Sequence, residues 1–257
     1  MRARHRHATG EFPWQRVVDF SLKHRLTMLL VLETFTIFGL SPLIDLGVLP
    51  HPLLGATFSL ILIAGMLSID NRVLMGRLII GLGIAMLPVQ LWRYLLPDDL
   101  VLIVHPVGLI CFMIALSVAV ANTLFRSPRI KLDQVLGGVV LYLNIGLTFA
   151  IAYSLVEHVS PGAFALPNPS PPRPLHPSYF VYFSFVTLTT VGYGDTVPVA
   201  AMARSLTILE AAMGQLYPAI ILARLVSIEV GQTSQKRARS EHRQEVTKNH
   251  GGASGHL

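Results

Sequence analysis

Apolar residues in this chain come in long runs broken by short polar clusters, and the runs have the length of a bilayer crossing. They occupy residues 26–44, 53–69, 73–96, 100–125, 135–156 and 200–228. A helix of about 20 apolar residues spans roughly 30 Å of hydrocarbon, so the pattern predicts an all-α membrane protein with six transmembrane helices. The second run is marginal in length, and the third starts with Arg77 inside it. Between the fifth and sixth runs lies a stretch that is neither a plain loop nor a span. Residues 161–177 are rich in proline and are expected to form an irregular turret outside the membrane. Ser178 is placed to cap a short helix over 179–188, half a bilayer long, and residues 192–198 return the chain outward. A re-entrant helix and loop persist at membrane depth only where protein or water surrounds them.

Composition agrees with the pattern. Of 257 residues, 52% are hydrophobic and 13% are charged, against about 25% charged in soluble domains. The net charge of +6 needs no nucleic acid to explain it, because the basic residues sit where topology places them. Arg72 and Arg77 lie at the second turn-around, Arg126, Arg129 and Lys131 at the fourth, and further basic residues fill both tails. The opposite loops carry Asp45, Asp98 and Asp99, with Arg93 and Arg173 nearby. The positive-inside rule then predicts cytoplasmic termini in the cell membrane, as the even number of crossings requires. Arg2, Arg4 and Arg6 ahead of an apolar run resemble a signal peptide, but the run begins only near Leu26 and no small-residue cleavage site follows. It is expected to be a retained helix. The single cysteine, Cys111, forms no intrachain disulfide and is expected to be a small core hydrophobe.

The candidate chemistry is concentrated in Thr189-Thr190-Val191-Gly192-Tyr193-Gly194-Asp195. Glycines at alternate positions permit backbone angles that residues with a Cβ avoid, so successive carbonyls are expected to face one axis. Four such loops would stack rings of oxygen, with the Thr190 hydroxyl closing the inner end. A monovalent cation that sheds its water needs such a cage. The short helix ends pointing inward, so its partly negative C-terminus would face that cation. The stretch resembles the filter of the potassium channel family, for which this sequence is the recognised signature, and the resemblance extends over residues 134–230. It implies K+ bound at Thr190, Val191, Gly192 and Tyr193, with Gly194 completing the filter and Thr189 and Asp195 supporting it. Glu210, a carboxyl inside an apolar span where a charge is costly, is expected either to brace the back of the filter or to pair with another helix. It also implies a tetrameric pore, most simply a homotetramer, that conducts K+ passively without cofactor or enzymatic chemistry, in contact with membrane lipid. Asp195 would hold the outer mouth and concentrate cations. The aromatic residues of the short helix, Tyr179, Phe180, Tyr182, Phe183 and Phe185, are expected to wedge the filter against its neighbours. In the inner helix, Glu210-Ala-Ala-Met-Gly214-Gln-Leu-Tyr-Pro218 resembles small prokaryotic members, which puts a gating hinge at Gly214 and a second weak point at Pro218.

Four sections are therefore expected: a cytoplasmic N-terminal segment 1–25, a four-helix bundle 26–132, a pore domain 133–230, and a tail 231–257 without fixed structure. The bundle resembles a voltage sensor only in number and position. Its fourth helix contains no Lys or Arg, and each charge crossing the field would supply about 2.3 kcal/mol per 100 mV, so voltage gating is not expected. Glu33 inside the first span is expected to pair with Arg77. His5, His7, His242, His250 and His256 fall in the tails, while His51, His158 and His176 are expected outside, near the mouth. Two other readings are a subunit of a potassium uptake transporter, which usually packs four degenerate loops into one long chain, and a membrane signalling protein with a pore-like module.

Overall fold

The computed structural model describes residues 26–50, 52–68, 74–95, 99–126, 132–165 and 177–252. Seven helices are described: α1 (Leu26–Asp45), α2 (Pro52–Ser68), α3 (Leu74–Leu95), α4 (Asp99–Arg126), α5 (Leu132–Val159), α6 (Pro177–Leu188) and α7 (Ala201–Gly252). Four contain a stretch long and apolar enough to cross a membrane: Leu26–Asp45, Leu100–Asn122, Val135–Val159 and Ala201–Arg224. Six such helices were expected; the other two expected spans are helices of 17 and 22 residues, the longer with Pro88 inside it.

α5 is the central helix. It packs against α4 on one side and against α6 and α7 on the other. α1 reaches the same centre by an unusual route. Its stretch Phe35–Leu40 is a π-helix, in which the Ser41 N–H bonds the Thr36 carbonyl five residues back. Pro42, which has no N–H to continue the α-helical ladder, follows immediately. Beyond this bulge the end of α1 lies on α6, where the Ser41 hydroxyl donates to the Ser178 carbonyl at 3.0 Å and the Ser178 hydroxyl donates to Asp45 Oδ1 at 2.5 Å. Ser178 is therefore inside its helix with its hydroxyl committed to α1, not a cap. Pro177 opens the helix, as a residue without an N–H can at the first position.

Three further expectations are corrected. Glu33 is fully buried, yet neither carboxyl oxygen has a hydrogen-bond partner, and Arg77 is exposed on α3. Gly76 and Ile79 occupy the inward face of α3, so Arg77, about 100° round the helix from Gly76, points away from the bundle. Cys111 is exposed: the inward positions of α4 are taken by the next two residues, Phe112 and Met113. α7 runs on to Gly252, so residues 231–252, expected to lack structure, are helical. The segment is rich in Gln, Lys, Arg and Glu and extends a helix already formed, which removes the cost of nucleation. The N-terminal segment 1–25, with its arginines and His5 and His7, lies outside the described residues. So do Arg72, Asp98, Arg129, Lys131, Arg173, His51, His176 and His256.

Candidate functional site

α6 is held from behind by a cluster of rings. Phe180 is fully buried against Tyr153 of α5 and Phe164, with centroids 6.5 and 5.1 Å away, and Phe183 stacks edge-on to the same two rings at 5.0 and 5.4 Å. Of the expected wedge, Phe180 and Phe183 are core, Tyr179 and Phe185 are half-buried, and Tyr182 is exposed. α5 approaches closely enough that a Cβ at Gly146 would lie 2.6 Å from Phe185 Cζ. At that contact Ser184 makes two bonds, to the Gly146 carbonyl at 2.7 Å and to Glu210 Oε1 at 2.5 Å. Tyr153 donates to Glu210 Oε2, also at 2.5 Å. The fully buried Glu210 thus joins α5, α6 and α7 directly behind the loop.

The loop itself hangs from the end of α6. The N–H groups of Val191 and Gly192 both bond the Val186 carbonyl, at 3.0 and 3.3 Å. Along the loop φ alternates in sign: Thr190 at 58°, Gly192 at 55° and Gly194 at 77°, with Val191 and Tyr193 negative between them. Such alternation gathers N–H groups on one side, as in an anion-binding nest, and so turns the carbonyls to the other. Thr190 is the residue that sequence reasoning did not single out for this, being the one non-glycine among the described residues with positive φ. Its side chain is held by the Gln215 amide, which donates to Thr190 Oγ1 at 2.9 Å. Gln215 was likewise missed; it lies one residue beyond Gly214, and a polar amide inside an apolar run was the available signal. Thr189 to Gly194 are all exposed on the single chain. Carbonyls facing one way would offer oxygens of the kind a hard cation takes.

The outer end is pinned on three sides. The Tyr182 hydroxyl donates to Asp195 Oδ2 at 2.7 Å. Tyr179 and Thr196 share a short hydroxyl contact. Strand β1 (Phe164–Ala165) pairs antiparallel with β2 (Val197–Pro198), in the register Phe164 to Pro198, and the Val199 and Ala200 N–H groups both bond the Ala163 carbonyl.

Residues 143–230, which comprise most of α5, all of α6, the loop and the first part of α7, match the family model described as ion channel. Protein LctB of Bacillus caldotenax is 35% identical over 101 residues, covering 38% of this chain and 74% of its own. Protein LctB of Geobacillus stearothermophilus matches with the same identity and coverage. The chain belongs to the ion channel family. No solved structure matches it significantly.

In this channel the two inner-helix residues singled out from the sequence stand in different surroundings. Gly214 is buried, and a Cβ there would overlap the Leu188 carbonyl oxygen at the end of α6. Pro218 is exposed one turn on, within an unbroken helix. Between them Tyr217 donates to the Gly138 carbonyl at 2.6 Å and ties the inner helix to α5. Away from the pore, α2, α3 and α4 share a polar chain that the sequence reading overlooked. Arg93 Nη1 lies 3.5 Å from His105 Nδ1, His105 Nε2 meets Gln90 Oε1, and Gln90 Nε2 donates to the Gly55 carbonyl at 2.5 Å. Because a guanidinium only donates, His105 accepts at Nδ1 and donates from Nε2. His158, expected near the mouth, is exposed at the end of α5.

Proposed function

We propose that the chain is one subunit of a potassium-selective channel, in which four copies bring their Thr190–Gly194 loops around a common axis. The alternating φ at Thr190, Gly192 and Gly194 carries this reading. It turns the carbonyls of Thr190, Val191, Gly192 and Tyr193 toward one side, where stacked rings of four oxygens can replace the hydration shell of K+. No side chain in this stretch is ionised, so discrimination comes from dipoles held in place. Exposure of the inner helix supports fourfold assembly: only 11% of its apolar window is buried in one chain, against 61% for α5. Ile208, Leu216, Ile220 and Leu222 are exposed along it and are available to neighbouring copies, lipid or a central cavity. Both termini face the cytoplasm, as the basic turn-arounds require. Conduction is passive, with Gly214 and Pro218 as the flexible turn, and neither cofactor nor covalent step takes part. The test is ion flux from liposomes holding the purified protein: efflux driven by K+ is expected, and comparable flux with Na+ in place of K+ would reject the proposal.

A further inference from the structure

Hydrogen counting behind the filter loop fixes more than its scaffold. Three close oxygen pairs meet there: Tyr153 Oη with Glu210 Oε2 at 2.5 Å, Ser184 Oγ with Glu210 Oε1 at 2.5 Å, and Ser184 Oγ with the Gly146 carbonyl at 2.7 Å. Each pair needs one proton between its oxygens. Tyr153 brings one, Ser184 brings one, and a carbonyl brings none. An ionised Glu210 leaves the set one proton short, with Ser184 unable to serve both its acceptors. A protonated Glu210 closes it: the carboxyl donates to Ser184, Ser184 donates to Gly146, and Tyr153 donates to the other carboxyl oxygen. The surroundings favour the same state. Glu210 is fully buried in the apolar window of α7, and its partners are hydroxyls rather than cations. The other groups that face this site are Tyr142 on α5 and Thr207 on α7, and neither carries a positive charge. A bare carboxylate at such a place is costly.

We infer that Glu210 works as a neutral carboxylic acid whose proton holds α6 against α5, and that releasing this proton to solvent at alkaline pH disables the filter. On ionisation the carboxylate competes for the Ser184 proton, the Gly146 contact is lost, and the helix from which Val191 and Gly192 hang is loosened. Glu210 is a positioning residue: it acts on the ion path through Ser184 and α6. The inference rests on the proposed function for its effect on flux, but not for the state of the proton.

Infrared difference spectroscopy of the assembled protein in liposomes measures that state directly. A protonated-carboxyl band is expected at neutral pH; the component present in wild type and missing from Glu210→Gln is expected to vanish on alkalinisation together with K+ flux, whereas any component from the buried Glu33 is common to both proteins. That variant, whatever its flux at neutral pH, is expected to show no alkaline fall. Should Glu210→Gln fail to assemble, Tyr153→Phe serves instead. Removing a donor that favours the carboxylate is expected to move both the band loss and the flux loss to higher pH. Identical protonated-acid bands in wild type and Glu210→Gln, or an alkaline fall unchanged in either variant, would overturn the inference. A band that behaves as described in a protein that does not select K+ would overturn the proposed function and leave the assignment of the proton standing.

Discussion

The α-carbon of Gly214 lies against the carbonyl oxygen of Leu188, so the inner helix touches the end of the pore helix where the loop begins. The same turn carries the carbonyl that Pro218 leaves without its helical N–H partner. Glycine is needed here for closeness of approach, whatever flexibility it adds. Replacing it with alanine is expected to push α7 off α6 and destabilise the subunit by about 1–3 kcal/mol, the usual cost of overpacking. A thermal melt of the purified assembly checks this; an unshifted melt would show that the contact yields freely.

Gly192→Ala is expected to abolish K+ flux or its selectivity while the assembly stays intact. At Gly192 φ is 55°, and a Cβ would meet no atom within 4 Å. The cost is therefore conformational, about 1–2 kcal/mol for holding a side-chain-bearing residue there, and it is relieved by turning a carbonyl away. Parallel K+ and Na+ flux assays decide it, and wild-type discrimination in the variant would count against a carbonyl cage.

Voltage is expected to change current through driving force alone. Between Leu100 and Phe125, α4 has no lysine or arginine, so no gating charge worth about 2.3 kcal/mol per 100 mV is available in it. Planar-bilayer recording should give an open probability nearly flat with potential; a steep curve would contradict the assignment of the bundle.

Pro218→Ala restores the hydrogen bond to the Gly214 carbonyl and is expected to shift open probability while leaving selectivity as it is. Single-channel recording separates the two quantities. Altered selectivity at unaltered open probability would make Pro218 a support of the filter and not part of a gate.

His105→Ala breaks the polar chain from Arg93 to Gly55. Gln90 is buried and its Oε1 would lose the His105 partner while Nε2 keeps the Gly55 carbonyl, at a cost of about 1–3 kcal/mol. Lower thermal stability with unchanged K+ over Na+ selectivity is the expected result, and an altered selectivity would tie the bundle to the filter.

Helix positions were legible in the sequence because apolar runs and breaks record the bilayer directly. The predicted short helix over 179–188 and the observed Pro177–Leu188 differ at one end only. Glu210 was legible as a buried carboxyl in an apolar run. What was not legible depends on rotation about helix axes and on contacts between distant segments. Glu33 and Arg77 sit at compatible depths, yet Arg77 faces outward. Thr190 takes a positive φ that its residue type disfavours, imposed by the loop's suspension from Val186. The meeting of Asp45 with Ser178, 133 residues apart, follows from the π-bulge in α1, which no local periodicity announces.

The length of α7 has a mechanical consequence. Its 52 residues make a rod of about 78 Å at 1.5 Å per residue, more than twice the thickness of the hydrocarbon it crosses. From Pro218 to Gly252 the rod is a lever of roughly 50 Å. A tilt of about 10° at Pro218 would sweep its far end through roughly 9 Å, given that length. Work done on that distant end, by a load or a binding event, is thereby concentrated on the one turn where the helix lacks a hydrogen bond.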